Sequence, residues 1–201
     1  MVLDNKLGIT DSLELAKAEE KISKEGAKAL FEQGLLETKE AGCFETLAFI
    51  HKTLFQDIYE CAGQIRDVNM AKGNFRFAPV MHLSHSLKMI DKMPQSTVDE
   101  ILEKYVEMNI VHPFREGNGR SMRLWLDHLL KAEVDQVVDW SKVDKEDYLL
   151  VMERSPIRDI ENKNVIKQAL TSKVKDRTIY LKGIDHSYYY EGYSLYKTEG
   201  L

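Results

Sequence analysis

Cysteine is scarce in this chain: Cys43 and Cys61 are the only two in 201 residues. Two thiols cannot build a disulfide framework, and no Cys-x-x-Cys spacing is present. A reducing cytoplasm is therefore the expected compartment. Long apolar runs are missing as well. No stretch approaches the ~18 residues of a membrane span, and the N-terminus Met1–Lys6 has no apolar signal core, so no membrane partner is expected. Nor is there an excess of positive charge. With Lys+Arg at 28 against Asp+Glu at 33, the formal net charge is -5. That balance lacks the basic field that non-specific nucleic-acid binding needs. It leaves room for a local basic site that takes a small anion. Only four prolines interrupt the sequence, so long helical stretches meet few breaks.

What is there fits one soluble domain: 43% hydrophobic and 30% charged residues, in a chain long enough to bury a core. Ser12–Glu20 and Lys24–Gln33 read as weakly amphipathic helices. Phe44–Glu60 is stronger, with Phe44, Leu47, Ile50, His51, Leu54, Phe55 and Ile58 recurring at three- and four-residue steps. Val98–Val111, Arg120–Ala132, Ser141–Glu153 and Asp159–Val174 complete the helical set. One segment departs from it. In Lys72-Gly73-Asn74-Phe75-Arg76-Phe77-Ala78-Pro79 the Gly-Asn pair suits a tight turn, Phe75 and Phe77 alternate with Arg76, and Pro79 stops the strand. The expected fold is all-α with one small β-hairpin; the alternative for this segment is an irregular loop.

The chemistry concentrates in His112-Pro113-Phe114-Arg115-Glu116-Gly117-Asn118-Gly119-Arg120-Ser121-Met122-Arg123. Gly117 and Gly119 let a ligand approach bare backbone, and the loop runs into a helix N-terminus, where N–H groups and the dipole favour an anion. Asn118 either caps that helix or donates to a ligand oxygen. Arg120 and Arg123 stand in its first turns, where cations oppose the macrodipole at ~0.3–1 kcal/mol each. Two arginines there make sense if a multiply charged anion binds between them. The bland alternative pairs Arg123 with Asp127 one turn on, but leaves Arg120 unexplained. Beside a phosphate, a neutral His112 is suited to take a proton from an attacking hydroxyl. Glu116 reads as a magnesium ligand, since a carboxylate near phosphates needs a cation between them. Singly, such a His is more often a cap and such a Glu a solvated face; their joint placement in twelve residues carries the reading.

This segment resembles the signature of the Fic-domain family, His-x-Phe-x-Asp/Glu-Gly-Asn-Gly-Arg-x-x-Arg, at every specified position. Ala62-Gly63-Gln64-Ile65-Arg66, followed by Lys72–Phe77, resembles the entry to the family's flap hairpin. The resemblance implies a mainly helical Fic fold, with residues 1–40 as an N-terminal helical extension. A catalytic core would follow at 41–180, with the flap near 66–79, and an inhibitory segment at 181–201. It implies an ATP-dependent adenylyltransferase that places AMP on a Tyr, Ser or Thr hydroxyl of a target protein of unknown identity; self-association stays open. His112 would be the general base and Phe114 the loop's anchor. Glu116 would be the ligand of Mg2+ or Mn2+. Gly117, Asn118 and Gly119 would line the anion hole with backbone and amide donors, Arg120 would bind the phosphates and Arg123 would hold the γ-phosphate. Lys72, Gly73, Asn74, Phe75, Arg76 and Phe77 would dock the target by main-chain pairing. The intact Gly-Asn-Gly-Arg run favours AMP over other transferred groups. Glu116, in place of the commoner Asp, lengthens the reach to the metal.

Near the C-terminus, Ser187-Tyr188-Tyr189-Tyr190-Glu191-Gly192 places Ser187 and Glu191 on one helical face, with Gly192 ending the helix. A surface capping box fits poorly, because Tyr190 stands where Glu or Gln is needed. The segment resembles the family's inhibitory motif, Ser/Thr-x-x-x-Glu-Gly/Asn. By that resemblance Glu191 pairs with Arg123 in the place of the γ-phosphate. Tyr188 is a candidate for self-modification that would undock the helix. Two other readings stand beside the transferase: removal of AMP, with Glu191 orienting water, and a catalytically quiet peptide-binding module.

Overall fold

A computed structural model of the chain describes residues 2–73, 75–155 and 159–201. Eight α-helices dominate among the described residues. The first, α1 (Ser12–Glu32), is one continuous helix rather than the expected two segments. Asp11 caps it by accepting from the N–H groups of Leu13 and Glu14, and no helix breaker stands between Glu20 and Lys24 to divide it. Its buried face includes Glu19, Glu20 and Lys24 beside Leu15, Ala27 and Leu30. The next helix, α2 (Phe44–Phe55), is shorter than its apolar periodicity predicts. Beyond Phe55 the chain goes on in turns that still bury Ile58 and Tyr59, so the period outlasts the helix.

The expected hairpin forms. Strands β1 (Ala71–Lys72) and β2 (Phe75–Arg76) pair antiparallel, Ala71 opposite Arg76 and Lys72 opposite Phe75. Asn74 lies outside the described residues. No helix is expected between Pro79 and Val98, yet α3 (Leu83–Asp91) occupies that stretch and buries Leu83, Leu87 and Ile90 at helical spacing. Then α4 (Val98–Val111) begins at a capping box of Thr97 and Glu100, and α5 (Asn118–Val134) follows after a short loop. A second small sheet, not expected, joins β3 (Val137–Val138) to β4 (Leu170–Thr171) across α6 (Lys145–Arg154) and α7 (Asp159–Gln168). The last helix, α8 (Arg177–Tyr190), leads into a tail that ends in a 3-10 turn at Thr198–Gly200.

The core gathers on α2, α4 and α5, where Phe55, Tyr105, Met108, Trp125, Leu126 and Leu129 are fully buried. Around it, α1 packs on α2 and on α8, and α8 packs on α5. The N-terminal and C-terminal helices therefore meet at the start of α5. Among the described residues no helix is long and apolar enough to cross a membrane.

Candidate active site

The loop between α4 and α5 is held by three side-chain devices. At its start, His112 adopts a left-handed backbone (φ 49) and ends α4, its N–H donating to the carbonyl of Met108 at 3.0 Å. Its ring lies parallel to that of Phe77 on the flap, with centroids 3.8 Å apart and planes 14° apart. Burial pushes the imidazole pKa down to about 4, so the ring is neutral at physiological pH.

His51 and Asn118 provide the second and third devices. The His51 Nδ1 accepts the Gly63 N–H at 2.8 Å, which places the proton on Nε2 to donate to the Glu116 carbonyl at 2.9 Å. Burial lowers this imidazole too, to about 4, in keeping with that neutral tautomer. The Phe114 ring, fully buried, stacks on His51 at 3.8 Å. The Asn118 amide is bound at both ends by one residue: Oδ1 accepts from the Phe114 N–H at 2.8 Å and Nδ2 donates to the Phe114 carbonyl at 2.7 Å. This corrects the sequence expectation for Asn118. Its side chain does not cap α5; it clamps the loop, and Gly117 stands at the cap position.

Gly117 (φ 70) is backed by the Phe55 ring, which lies where a Cβ would be. Gly117→Ala meets both a disfavoured conformation and that ring. It is expected to destabilise the protein by more than about 1 kcal/mol. In a domain of this size that is a fall in Tm of at least ~2–4 °C, to be read by thermal unfolding against wild type.

Arg120 and Arg123 open α5, both buried. Arg120 faces three carboxylates from three parts of the chain. Its Nη1 donates to Glu19 at 2.7 Å and its Nη2 to Glu116 at 3.1 Å, while its Nε lies 3.0 Å from Glu191 Oε2. Glu19 also accepts from the hydroxyls of Tyr59 and Tyr193. Arg123 donates from Nε to Ser187 Oγ at 2.6 Å and from Nη2 to the Ser187 carbonyl at 2.8 Å and to Glu191 Oε1 at 2.6 Å. One glutamate carboxylate thus spans both arginines. Burial alone would raise the Glu191 pKa, but Arg120 and then Arg123 outweigh it and hold the carboxyl below its usual range. Asp127 is no partner of Arg123: it accepts from the Val138 N–H and the Trp140 indole, each at 2.9 Å. Burial pushes it up to about 7.

The end of α8 delivers Glu191 by a Schellman turn. Gly192 (φ 94) donates to the Tyr189 carbonyl and Tyr193 to the Tyr188 carbonyl, each at 3.1 Å. Ser187 is buried against Arg123 as its spacing from Glu191 implies. Tyr188 packs inward. It is 1% exposed and packed between the Arg120 guanidinium and Lys24, so its hydroxyl is out of reach of any active site while α8 is docked. Tyr189, next to it, is 51% exposed.

The Glu116 carboxylate is 47% exposed, accepts the Gly117 N–H at 2.8 Å and borders Arg120. Among the described residues no three His, Cys, Asp or Glu side chains converge as a metal cage. Magnesium commonly binds through one or two carboxylates plus substrate phosphates and water, and Glu116 fits that donor set. The flap residues Lys72, Gly73 and Arg76 are exposed and Phe75 and Phe77 half-buried, beside His112. Sequence reasoning did not single out Glu19, Tyr59, His51 or Tyr193. A histidine inside the apolar stripe of α2 was a usable signal; Glu19, one acid among many on α1, carried none.

A glycine loop at a helix N-terminus, two buried arginines and a neutral histidine give this site the chemistry to hold an anion. Residues 43–130 match the Fic/DOC family. The chain is 32% identical over 165 residues to the protein adenylyltransferase VbhT of Bartonella schoenbuchensis, spanning 73% of this chain and 32% of that one. It is 26% identical over 186 residues to the probable protein adenylyltransferase Fic of Salmonella typhimurium, spanning 87% of this chain and 90% of that one. Its fold matches BepC of Bartonella tribocorum, solved with bound AMPPNP, at a TM-score of 0.70 and 20% identity over 85% of this chain and 93% of that one. An N-terminal Fic domain from Bartonella quintana, solved with ADP, matches at 0.69 and 20% identity over 90% and 94%. The chain is thus similar to the Fic/DOC family over residues 43–130 and to relatives that are protein adenylyltransferases, of which it spans about a third in VbhT and nine tenths in the Salmonella protein.

Proposed function

We propose that this chain transfers AMP from ATP to a hydroxyl of a protein target and that Glu191 restrains the transfer. The observation that carries the reading is the Glu191 carboxylate spanning Arg120 and Arg123 in front of the glycine loop, 2.6 Å from Arg123 Nη2 and 3.0 Å from Arg120 Nε. A carboxylate and a phosphate suit the same guanidinium fork, so Glu191 stands where a terminal phosphate of ATP would be held. An ideal Cβ on Gly119 would run into the same carboxylate, so Glu191 lies directly against the glycine loop.

In the released state the phosphates replace Glu191 on the two arginines, and the first turn of α5 faces them with its N–H groups. Glu116 would hold the magnesium ion, which supplies neutralisation of phosphate charge. A segment of the target pairs along the flap, and its hydroxyl loses a proton to neutral His112. The oxygen bonds to the α-phosphorus as the bond to the bridging oxygen breaks, and pyrophosphate leaves. The negative charge of Glu191 favours the protonated imidazole, and phosphates in its place act with the same sign. Exchange of Glu191 for nucleotide therefore keeps this support for His112 as a base. Preorganised donors and positioning supply most of the rate.

The test is which phosphate moves. In a Glu191→Gly variant with magnesium or manganese, label in the α-phosphate of ATP is expected on protein from a cell lysate, and label in the γ-phosphate is not. Transfer of γ-label would overturn the reading.

A further inference from the structure

Arg66 is 2% exposed, and among the described residues no carboxylate lies within ion-pair distance of it. Its guanidinium donates to four main-chain carbonyls instead: His112 at 2.8 Å, Val111 at 3.1 Å, Val68 at 2.5 Å and Ala78 at 2.6 Å. Its own N–H donates to the Pro113 carbonyl at 2.8 Å. Two of these carbonyls end α4, where a helix leaves acceptors without intrahelical donors and favours a cation. The other two lie on the two stems of the flap, Val68 before β1 and Ala78 after β2. Burying a charge among neutral carbonyls is costly, and apolar packing would fill the same space without bridging three segments.

We propose that Arg66 is a positioning residue that holds the flap in register with His112, so that a hydroxyl laid along the flap meets the imidazole. The exit stem has its own link to α4, since the Ala78 N–H donates to the Ile110 carbonyl at 3.0 Å. On the entry stem, Val68 is joined to the His112 carbonyl through Arg66. Phe77, stacked on the His112 ring, precedes Ala78 and donates its N–H to the Met70 carbonyl at 3.1 Å, so its placement follows both stems. The anion loop is fixed separately, by His51 and Asn118, so loss of Arg66 leaves the phosphate site in place. A lysine cannot substitute: its three donors leave from one point, whereas the planar fork reaches four acceptors on different segments.

This inference rests on the reading of His112 as base and the flap as dock, and its test separates the two. In the Glu191→Gly chain, Arg66→Lys and Arg66→Ala are compared for ATP affinity, for release of free AMP by water and for α-label placed on lysate protein. ATP affinity should hold and AMP release by water should change little. Protein labelling should fall by at least ~10-fold and toward ~10²-fold, the effect of misplacing reacting atoms by about 1 Å. Added guanidinium should restore part of the labelling in Arg66→Ala. Amide exchange should quicken at residues 68–78 and stay slow at 117–124. Labelling at the parent level, or ATP affinity falling in step with labelling, would overturn the proposal. If Arg66→Ala does not fold, Arg66→Lys carries the comparison. If the Glu191→Gly parent labels no protein, the transferase reading fails, while amide exchange still decides whether Arg66 couples flap and loop.

Discussion

His112→Ala, made in the Glu191→Gly background, is expected to cut AMP transfer by ~10²–10⁴-fold, the usual loss on removing a general base. The loss should fall on the chemical step. The ring makes parallel contact with Phe77, and burial keeps it neutral. The arginines that would hold the phosphates are fixed by other residues, Ser187 on Arg123 and Glu19 on Arg120. ATP affinity, measured by titration, should therefore be close to that of the parent. A variant that labels protein at the parent's rate would remove His112 from the mechanism. One that loses ATP affinity in the same proportion would reassign it to nucleotide binding.

The second large effect is release of the brake. Glu191→Gly should raise AMP transfer by at least ~10-fold and toward ~10²-fold, since a charge-assisted hydrogen bond is worth ~1.5–3 kcal/mol and a misplaced phosphate costs about as much again. Arg123→Ala should not reproduce the gain. It removes the anchor of the brake, held by Ser187 and Glu191 in the docked state, together with the group that would hold the terminal phosphate. Rates of wild type, each single variant and the double variant, compared at saturating ATP, decide the matter. Equal rates for wild type and Glu191→Gly would sink autoinhibition and leave the assignment of His112 standing. Because the group that would hold the terminal phosphate is missing in both, the double variant should stay as slow as Arg123→Ala rather than recover.

Much of this was legible along the chain because its causes are local. The turn at the flap, the start of α4 at Thr97 and the run from His112 to Arg123 depend on residues within a few positions of one another. Their spacing speaks directly to backbone conformation and helix-end electrostatics. The misreadings have local causes too. Phe44–Glu60 keeps an apolar period past the end of α2 because turns can bury the same face. Asn118 was a candidate cap of α5, and its closeness to Phe114 across the folded loop made it a clamp instead.

By itself, then, the sequence determined a mainly helical domain with a glycine loop running into a helix N-terminus, because a short contiguous motif carries its own geometry. The tertiary structure alone decided which charges meet inside. Arg120 and Glu19 are 101 residues apart, and Arg123 and Glu191 are 68 apart. The fold brings them together only because α1 and α8 both pack beside the start of α5. The cost of burying a charge is offset by whichever opposite charge the packing supplies. No periodicity distinguishes Glu19 from its neighbours on α1, and no spacing announces that Arg66 will bind carbonyls on both flap stems. Such residues take their meaning from desolvation, and desolvation is a property of the assembled core rather than of the chain.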